Sequence, residues 1–195
     1  MMAYPEETDM NHRHIRRFAA SLIFMTAVAA CPALAEWSHE PTENNIVSAA
    51  DGEQLAPRIV ADGTGGTIVG YAEQSASGDQ IVLHRFDADG NALWDTGVSA
   101  YTGQLDLSTN FDLIADGTGG AYLAMQDLSS NSFYHIYAQH VTAAGVVEWG
   151  VNGINVSPAS SGAQHDSSIC LDGSGGLLLV FCDTRNGQYD LFGQR

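Results

Sequence analysis

The sequence predicts an all-β chain made of three copies of one antiparallel unit of about 55 residues. Two sets of markers keep this period, and internal repeats of such length are typical of stacked architectures. The turn sequence Asp-Gly-Thr/Ser-Gly-Gly recurs at nearly even intervals, beginning at Asp62, Asp116 and Asp172 and ending at Gly66, Gly120 and Gly176. The Trp residues follow the same period: Trp37, Trp94 and Trp149.

A third marker is a segment that recurs with two equal gaps, at 80–85, 135–140 and 190–195. Asp-Gly followed by further glycines predicts a tight hairpin, because these positions tolerate positive φ. A second polar turn, Asp-Ala-Asp-Gly-Asn, lies at 87–91. Around these two turns the first unit is predicted to form four strands, at 59–61, 67–71, 81–86 and 92–94.

The predicted fold class is therefore all-β, with repeated four-stranded antiparallel meanders stacked as the blades of a β-propeller. A unit this small cannot bury both faces of its own sheet, so neighbouring units must pack against one another. With a boundary after each Trp, the units are 36–94, 95–149 and an incomplete third unit, 150–195. Propellers typically have about four to eight blades, so we expect a fragment of a longer protein, or another chain that closes the sheet edges. A linear stack and a β-sandwich stay open as alternatives.

The unit resembles the long-blade repeats of exported bacterial β-propeller proteins. In those repeats an Asp-Gly-x-Gly-Gly hairpin, an Asp-x-Arg segment, an Asp-Ile/Leu-Tyr/Phe-Ala/Gly-Gln-Arg strand and a final Gly-x-x-x-Trp recur. The best matches in this chain lie at 183–185, 190–195 and 90–94. Residues 86–94 are also similar to the blade ends of quinoprotein-like propellers and nearly match the sialidase Asp-box, with the Gly one place early. The resemblance covers 37–195 and implies a scaffold that unrelated functions share.

The N-terminal segment 1–35 is predicted to direct export. A basic run precedes a mostly apolar stretch at 18–30, which is too short to span a bilayer, and Ala-Leu-Ala at 33–35 is typical of a signal peptidase site. Acidic residues before the basic run are unusual in such signals, so we expect translation to start at Met10. We expect a secreted or periplasmic protein. Alternatively, Val-Ala-Ala-Cys ending at Cys31 resembles a lipobox, and Cys31 would then be lipidated.

The charge balance argues against two classes of partner. The chain carries 23 acidic residues against seven Arg and no Lys, and the export segment holds three of each sign, which leaves 20 acidic residues and four Arg. Such a surface repels phosphate backbones and anionic headgroups. We therefore expect no nucleic acid, no membrane surface and no membrane span in the mature chain. The expected partner is a protein or glycan whose identity the sequence does not reveal.

The recurring acidic residues favour turn formation over metal binding. The three hairpin Asp residues stand where Asp hydrogen-bonds its own backbone. Asp87, Asp89 and Asn91 have some of the oxygen density of a calcium loop, but the Gly comes early and no distal Glu follows. The second unit has no carboxylate in the matching loop, and no pair of His residues has zinc-ligand spacing. We expect no cofactor, with calcium at these three residues as the alternative.

No motif identifies a catalytic residue. The Ser-rich loops contain no Gly-x-Ser-x-Gly elbow, and the Gly-Thr-Gly-Gly runs lack the Lys of a phosphate loop. The third hairpin places Cys170 opposite Leu178, too far from Cys182 for a disulfide.

The functional hypothesis is a non-catalytic exported module for binding or cell-surface interaction. The alternative is part of a propeller enzyme acting on carbohydrate or another extracellular polymer, because paired carboxylates on separate strands cannot be recognised in a sequence. Several aromatic side chains could stack on sugars, although in-register aromatics more often fill the space between sheets. They are Tyr71, Trp94, Tyr134, Tyr137 and Tyr189.

Overall fold

The computed structural model describes residues 37–76, 78–105, 111–128, 133–158 and 161–195. Within these ranges the chain forms eleven β-strands and no helix, which confirms the all-β class. The predicted export segment, with Met10 and Cys31, lies outside the described residues. No helix of the described part is long and apolar enough to cross a membrane.

The strands form three antiparallel sheets in which neighbours along the chain are also neighbours in the sheet. Sheet 1 consists of β1 (Glu53–Ala61), β2 (Thr67–Ser75), β3 (Gly78–Phe86) and β4 (Val98–Gly103). Sheet 2 consists of β5 (Asp112–Ala115), β6 (Ala121–Asp127), β7 (His135–Val141) and β8 (Ile154–Asn155). Sheet 3 consists of β9 (Gln164–Leu171), β10 (Leu177–Asp183) and β11 (Asp190–Gln194).

The hairpin turns join the first and second strands of each sheet, as the sequence predicts. In sheet 1, Ala61 pairs with Thr67, and the backbone N–H of Asp62 donates to the carbonyl of Gly66 at 2.9 Å. Gly63 has φ of 80°, a value that glycine adopts without strain. The same 2.9 Å bond closes the other two turns, from Asp116 to Gly120 and from Asp172 to Gly176.

The predicted fourth strand at 92–94 is wrong. The polar turn does bring the chain back to the end of β3, but Ala92 forms only an isolated bridge with Phe86. The side chain of Trp94 is then buried in the core, so the chain bends away and re-enters the sheet at Val98. Sheets 1 and 2 consequently extend beyond their Trp residues.

Sheet 2 is covered on both faces, because its neighbours pack against it. Strand β6 is buried along its whole length, with successive side chains on opposite faces. The first cluster joins sheets 1 and 2 and contains Ile68, Ile81, Leu83, Trp94, Ala100, Tyr101, Phe111, Leu113, Ala121, Leu123, Met125 and Val141. The second cluster joins sheets 2 and 3 and contains Tyr122, Ala124, Ile136, Ala138, Leu177, Leu179 and Phe181.

Within the part of the chain that the structure describes, sheet 3 is covered on one face. Leu177, Leu179 and Phe181 of β10 lie in the second cluster, whereas the alternate residues Leu178 and Val180 are 41% and 51% exposed. The three sheets are thus stacked antiparallel sheets, and their arrangement as blades of a β-propeller stays a prediction.

Candidate binding site

Each hairpin Asp is held by donors from its own unit. In unit 1, Oδ1 of Asp62 accepts from the backbone N–H groups of Thr64 and Gly66 at 2.7 and 2.8 Å. Its Oδ2 accepts from the Thr64 hydroxyl at 2.7 Å and from two nitrogens of Arg85 at 2.9 and 2.7 Å. The carboxylate is fully buried, so both oxygens are engaged within the unit.

The arrangement recurs in the other units, with His140 or Arg195 in the place of Arg85. In unit 2, Oδ2 of Asp116 lies 3.0 Å from Nε2 of His140, and Nδ1 of the same ring lies 2.7 Å from Oε2 of Glu148. In unit 3, Nε of Arg195 donates to Oδ2 of Asp172 at 2.7 Å. The sequence carries this signal as an Arg or His at the end of each recurring segment, and residue-by-residue interpretation missed it.

Hydrogen bonding keeps the hairpin carboxylates charged. Burial alone would raise the pKa of Asp62, but hydrogen bonds, led by those from Thr64, outweigh it and hold that pKa far below its ordinary value. The same opposition lowers the pKa of Asp116. The pKa of Asp172 is lowered first by backbone N–H groups of its own turn and then by Arg195. These carboxylates use most of their hydrogen-bonding capacity within their own hairpins, which leaves little for a ligand.

The loop considered for calcium is also held by its own groups. Oδ1 of Asp87 accepts from the backbone N–H groups of Asp89 and Asn91 at 3.0 and 2.8 Å, and its Oδ2 accepts from the Asn91 amide at 2.9 Å. The Asn91 side chain is the main cause of a lowered pKa at Asp87. The described residues contain no group of three or more His, Cys, Asp or Glu that could hold a metal ion. Calcium binding by Asp87, Asp89 and Asn91 stays a prediction.

Most of the aromatic residues that could meet a sugar are engaged between or against the sheets. Trp94 belongs to the first cluster, and its Nε1 donates to the carbonyl of Ala143 at 3.1 Å. Tyr71 is buried, and Tyr137 and Trp149 pack against the first and second clusters. Two of the tyrosines named from the sequence remain.

Tyr134 and Tyr189 stand at the same position of neighbouring units, directly before β7 and β11. His165 of β9 lies between them, with its ring centroid 5.5 Å from that of Tyr134 and 6.4 Å from that of Tyr189. Both ring pairs are inclined by 56°. Tyr189 is 70% exposed, and the other two rings are partly buried. We call Tyr134, His165 and Tyr189 the aromatic cluster.

Polar groups follow the aromatic cluster along both strands. Asp190 accepts from the side-chain amides of Asn186 at 2.9 Å and Gln188 at 3.1 Å. Asp166 is exposed, has φ of 53° at a β-bulge of β9, and donates its backbone N–H to the Gln126 amide oxygen at 2.8 Å. Positive φ is uncommon outside glycine, and both strain and bulges concentrate at functional sites. The cluster is therefore a partly open aromatic surface whose neighbours in sequence are carboxylates and amides.

The Asp-x-Arg segment next to this surface offers no free positive charge to an anionic ligand. The backbone N–H of Arg185 donates to Oδ1 of Asp183 at 2.7 Å, and its Nε donates to Oδ2 at 2.8 Å. Asp183 is fully buried, and the guanidinium carbon of Arg185 lies 4.2 Å from the ring centroid of Phe192. The Arg185 guanidinium thus neutralises a buried carboxylate and lies over the ring of Phe192 in sheet 3.

A half-buried carboxyl lies on β5, the first strand of sheet 2. Oδ2 of Asp112 is inaccessible to solvent and has no hydrogen-bond partner in the described structure. Burial raises the pKa of Asp112, while the charge of Arg58 and a hydrogen bond from Ser167 act in the opposite direction. A raised carboxyl pKa is one property of a general acid. Glycoside hydrolysis needs a second, suitably spaced carboxyl, so Asp112 alone does not make such a site.

An apolar cleft of about 510 Å³ lies between sheets 2 and 3, where Trp149, Leu177 and Leu179 line it. The matching space between sheets 1 and 2 is filled, because the turn after β7 places Ala143 and Gly145 against Trp94. Asn155, Asp172, Gln194 and Arg195 also line the cleft, and Arg195 is paired with Asp172. We interpret the cleft as a gap in sheet packing.

The predicted register of the third hairpin is confirmed. Cys170 pairs opposite Leu178, and Cys182 pairs with His165 on one side and Leu191 on the other. Both thiols are free.

The sequence named Tyr134 and Tyr189 but did not place His165 with them. Pairing of β9 with β10 brings His165 to this end of the sheet, and that register is set by the bulge at Asp166, which no local pattern announces. Comparison with protein families, with curated proteins and with solved structures finds no match for this chain.

Proposed function

We propose that this chain is an exported, non-catalytic binding module with sheets stacked as β-propeller blades, and that it binds a neutral glycan at the aromatic cluster. The observation that carries this proposal is the exposed Tyr189 ring in one cluster with His165 and Tyr134; Asp166 and Asp190 directly follow His165 and Tyr189 in the sequence. Sugar rings place their C–H faces on aromatic rings, while carboxylates and amides bind their hydroxyl groups.

The excess of acidic residues in the chain favours a neutral glycan over an anionic one. The part of the chain after the predicted export segment has 20 acidic residues and four Arg, since three of each sign are removed from 23 and seven. Arg185, the cation nearest in sequence to Tyr189, is engaged by Asp183. An anionic polysaccharide would be repelled, whereas a neutral one offers hydroxyl groups to the carboxylates.

The repeat supports a scaffold role. The residues that recur in all three units, such as Asp62 with its turn glycines, are consumed in closing turns. The site lies where the units differ, because unit 1 has Asp79 at the position of Tyr134 and Tyr189. Function commonly resides in such variable loops on a rigid scaffold. Export is supported by the basic and apolar pattern of segment 1–35.

The test is binding of the purified chain to soluble polysaccharides, measured by affinity electrophoresis and calorimetry. Laminarin, xylan and galactomannan serve as neutral probes and alginate as the anionic probe. We expect binding to at least one neutral probe and none to alginate. Tyr189→Ala should weaken binding about 2- to 12-fold, which corresponds to the roughly 0.5–1.5 kcal/mol of an aromatic contact.

The matched control is Val151→Ala, which truncates a side chain that is 80% exposed and lies outside the aromatic cluster. It should leave binding unchanged. Absence of binding to every neutral probe, or equal binding by Tyr189→Ala, would contradict the proposal. Release of reducing sugar from a bound probe would instead favour the enzyme alternative.

A further inference from the structure

We propose that this chain binds a small organic cation, a primary or quaternary ammonium compound, in a polar pocket formed by sheet 1. Glu73 supplies the negative charge for this ligand, and the rings of Tyr71 and His84 supply an aromatic wall. The aromatic cluster lies at sheets 2 and 3, so the inference goes beyond glycan binding and does not depend on it.

The pocket has a volume of about 280 Å³ and lies over one face of sheet 1. Antiparallel pairing places Glu73 of β2 opposite Gln80 of β3, and side chains two residues apart on a strand share a face. Tyr71 and His84 therefore belong to the same surface as Glu73. The volume lies near the lower end for ligand pockets, which suits a small molecule. We call this the sheet 1 pocket, and its polar lining consists of Ser48, Tyr71, Glu73, Gln80, His84 and Ser99.

Glu73 is a buried carboxylate without a cationic partner in the described structure. It is 7% exposed, and its Oε1 accepts a hydrogen bond from the Gln80 amide at 2.6 Å. Gln80 is neutral, and no ion pair joins Glu73 to an Arg or His of the described residues. Asp62 and Asp183 are also buried, but each pairs with an Arg. Because buried charges in proteins are normally paired, the sheet 1 pocket presents a site for a positive charge.

The neighbouring His84 does not supply this charge. Burial lowers the pKa of His84, while the charge of Glu73 acts in the opposite direction, so the imidazole is neutral at pH 7. Burial also raises the pKa of Tyr71, and the charge of Glu73 adds to this rise. The charge of Glu73 thus acts on both rings, and neither ring neutralises it.

The two rings form one aromatic wall. The rings of Tyr71 and His84 are inclined by 17° with centroids 5.8 Å apart, and the ring of Phe86 continues the row at 6.1 Å from His84. A cation within about 6 Å of an aromatic centroid is attracted by the ring quadrupole, more strongly where water is excluded. A carboxylate beside aromatic rings therefore matches an ammonium group and its alkyl substituents.

Hydrogen bonds and close packing hold this wall in place. The Tyr71 hydroxyl donates to Oγ of Ser48 at 2.9 Å and lies 3.2 Å from Nε2 of His84. Gly97, directly before β4, lies so close to the wall that a Cβ there would be 2.7 Å from Nε2 of His84. Preorganised side chains lose less conformational entropy when a ligand binds, which favours affinity.

The lining favours an organic cation over a metal ion. The described residues contain no group of three or more His, Cys, Asp or Glu that could hold a metal ion. The single carboxylate of Glu73 instead balances the single charge of an ammonium group. The formal charge of −16 on the chain also attracts cations and repels anions.

The test is titration calorimetry of the purified chain with choline and with butylammonium. Each is compared with its neutral isostere, in which carbon replaces the choline nitrogen or a hydroxyl replaces the ammonium group. We expect both cations to bind and each isostere to bind at least about tenfold more weakly. Glu73→Gln should weaken binding of both cations at least about tenfold, because their charge then has no counter-charge in the pocket. Tyr71→Leu should weaken choline binding about 2- to 30-fold, the effect of losing a cation–π contact.

The matched control is Glu53→Gln, the same substitution at an exposed residue of β1 that does not line the pocket. It should leave binding of both cations unchanged, and circular dichroism should show that each variant is folded. Without any variant, nuclear Overhauser effects in the unmodified chain should connect the choline methyl protons with ring protons of Tyr71 and His84. Failure of both cations to bind, equally tight binding of the neutral isosteres, equal binding by Glu73→Gln, or absence of these Overhauser effects would overturn the proposal.

Discussion

At the scale of single residues, the carboxylate of Asp62 joins two parts of its unit. It accepts hydrogen bonds from the turn that follows it and from Arg85 at the end of the third strand. Because the carboxylate is fully buried, its removal would leave the backbone N–H groups and the guanidinium without their acceptor. The Asp62 side chain thus connects the first hairpin with β3, the third strand of sheet 1.

Asp62→Ala should lower the free energy of unfolding by about 2–4 kcal/mol, the range for breaking a buried charge pair and its hydrogen bonds. Urea denaturation at neutral pH measures this change. Asp89→Ala, in an exposed turn position, is the control and should change stability by less than about 0.5 kcal/mol. The folded-state pKa of Asp62 is lowered, so its stabilisation is present above the ordinary Asp pKa and is lost as pH falls below it. Equal effects of the two variants would contradict the assignment.

The pKa of Asp112 is shifted in the opposite direction to that of Asp62. Burial raises its pKa, so the ionised form costs free energy at pH values above the folded pKa, and this cost disappears below the ordinary Asp pKa of about 3.9. Asp112→Asn should therefore stabilise the protein at pH 7, by about 1 kcal/mol because solvent screens a half-buried group. The gain should vanish near pH 3. Asp51→Asn, at an exposed site, should show no such difference in urea midpoints. A loss of stability at pH 7 would mean that Arg58 and Ser167 outweigh burial.

At the scale of the elements, the last glycine of the hairpin turn lies against the third strand. A Cβ at Gly66 would collide with the backbone carbonyl oxygen of Phe86, and one at Gly120 with that of Val141. At Gly176 the nearest atom to such a Cβ is Oδ2 of Asp172, at 2.7 Å. The turn glycine is thus required by the close approach of the third strand in sheets 1 and 2.

Gly66→Ala should lower the free energy of unfolding by about 1–3 kcal/mol, because the backbone of β3 must move to admit the methyl group. Asp89→Ala, in an exposed turn position, is the control and should change stability by less than about 0.5 kcal/mol. Thermal and urea unfolding of the two variants measure the difference. Unchanged stability of Gly66→Ala would contradict this steric role of the glycine.

The same elements show what the sequence could and could not predict. The hairpins were predictable because Asp and Gly positions dictate a tight turn at Asp62 and its repeats. The position of the fourth strand was not predictable, because it depends on Trp94, which packs in a cluster formed jointly by sheets 1 and 2. In the candidate site, Tyr134 and Tyr189 follow from the repeat, whereas His165 depends on a bulge and on pairing across sheet 3.

At the scale of the whole molecule, burial is greatest in the middle sheet. Strand β6 is buried at every position, while β10 alternates between buried and exposed residues. In a stack where each unit contacts only its neighbours, stability depends on the number of interfaces a unit makes. Among the described residues, sheet 2 makes two such interfaces and sheet 3 makes one.

Hydrogen exchange followed by mass spectrometry should report this gradient. We expect amide protons of β6 to exchange at least about tenfold more slowly than those of β10, because local opening is easier in the less buried sheet. Equal protection in both strands would show that the three sheets open as one cooperative unit.

The sequential order of strands bears on how the chain reaches this structure. Every paired strand in the described sheets is joined to a strand adjacent in sequence, and the bond from Arg85 to Asp62 closes a loop within a single unit. Local pairing of this kind shortens the loops that must close before contacts form, and low contact order speeds folding of β proteins. Sheet 1 can therefore assemble as soon as its own residues are available, and each later sheet can condense on the face that the previous one presents. A chain that becomes available from its N-terminus could fold in that order, one sheet at a time.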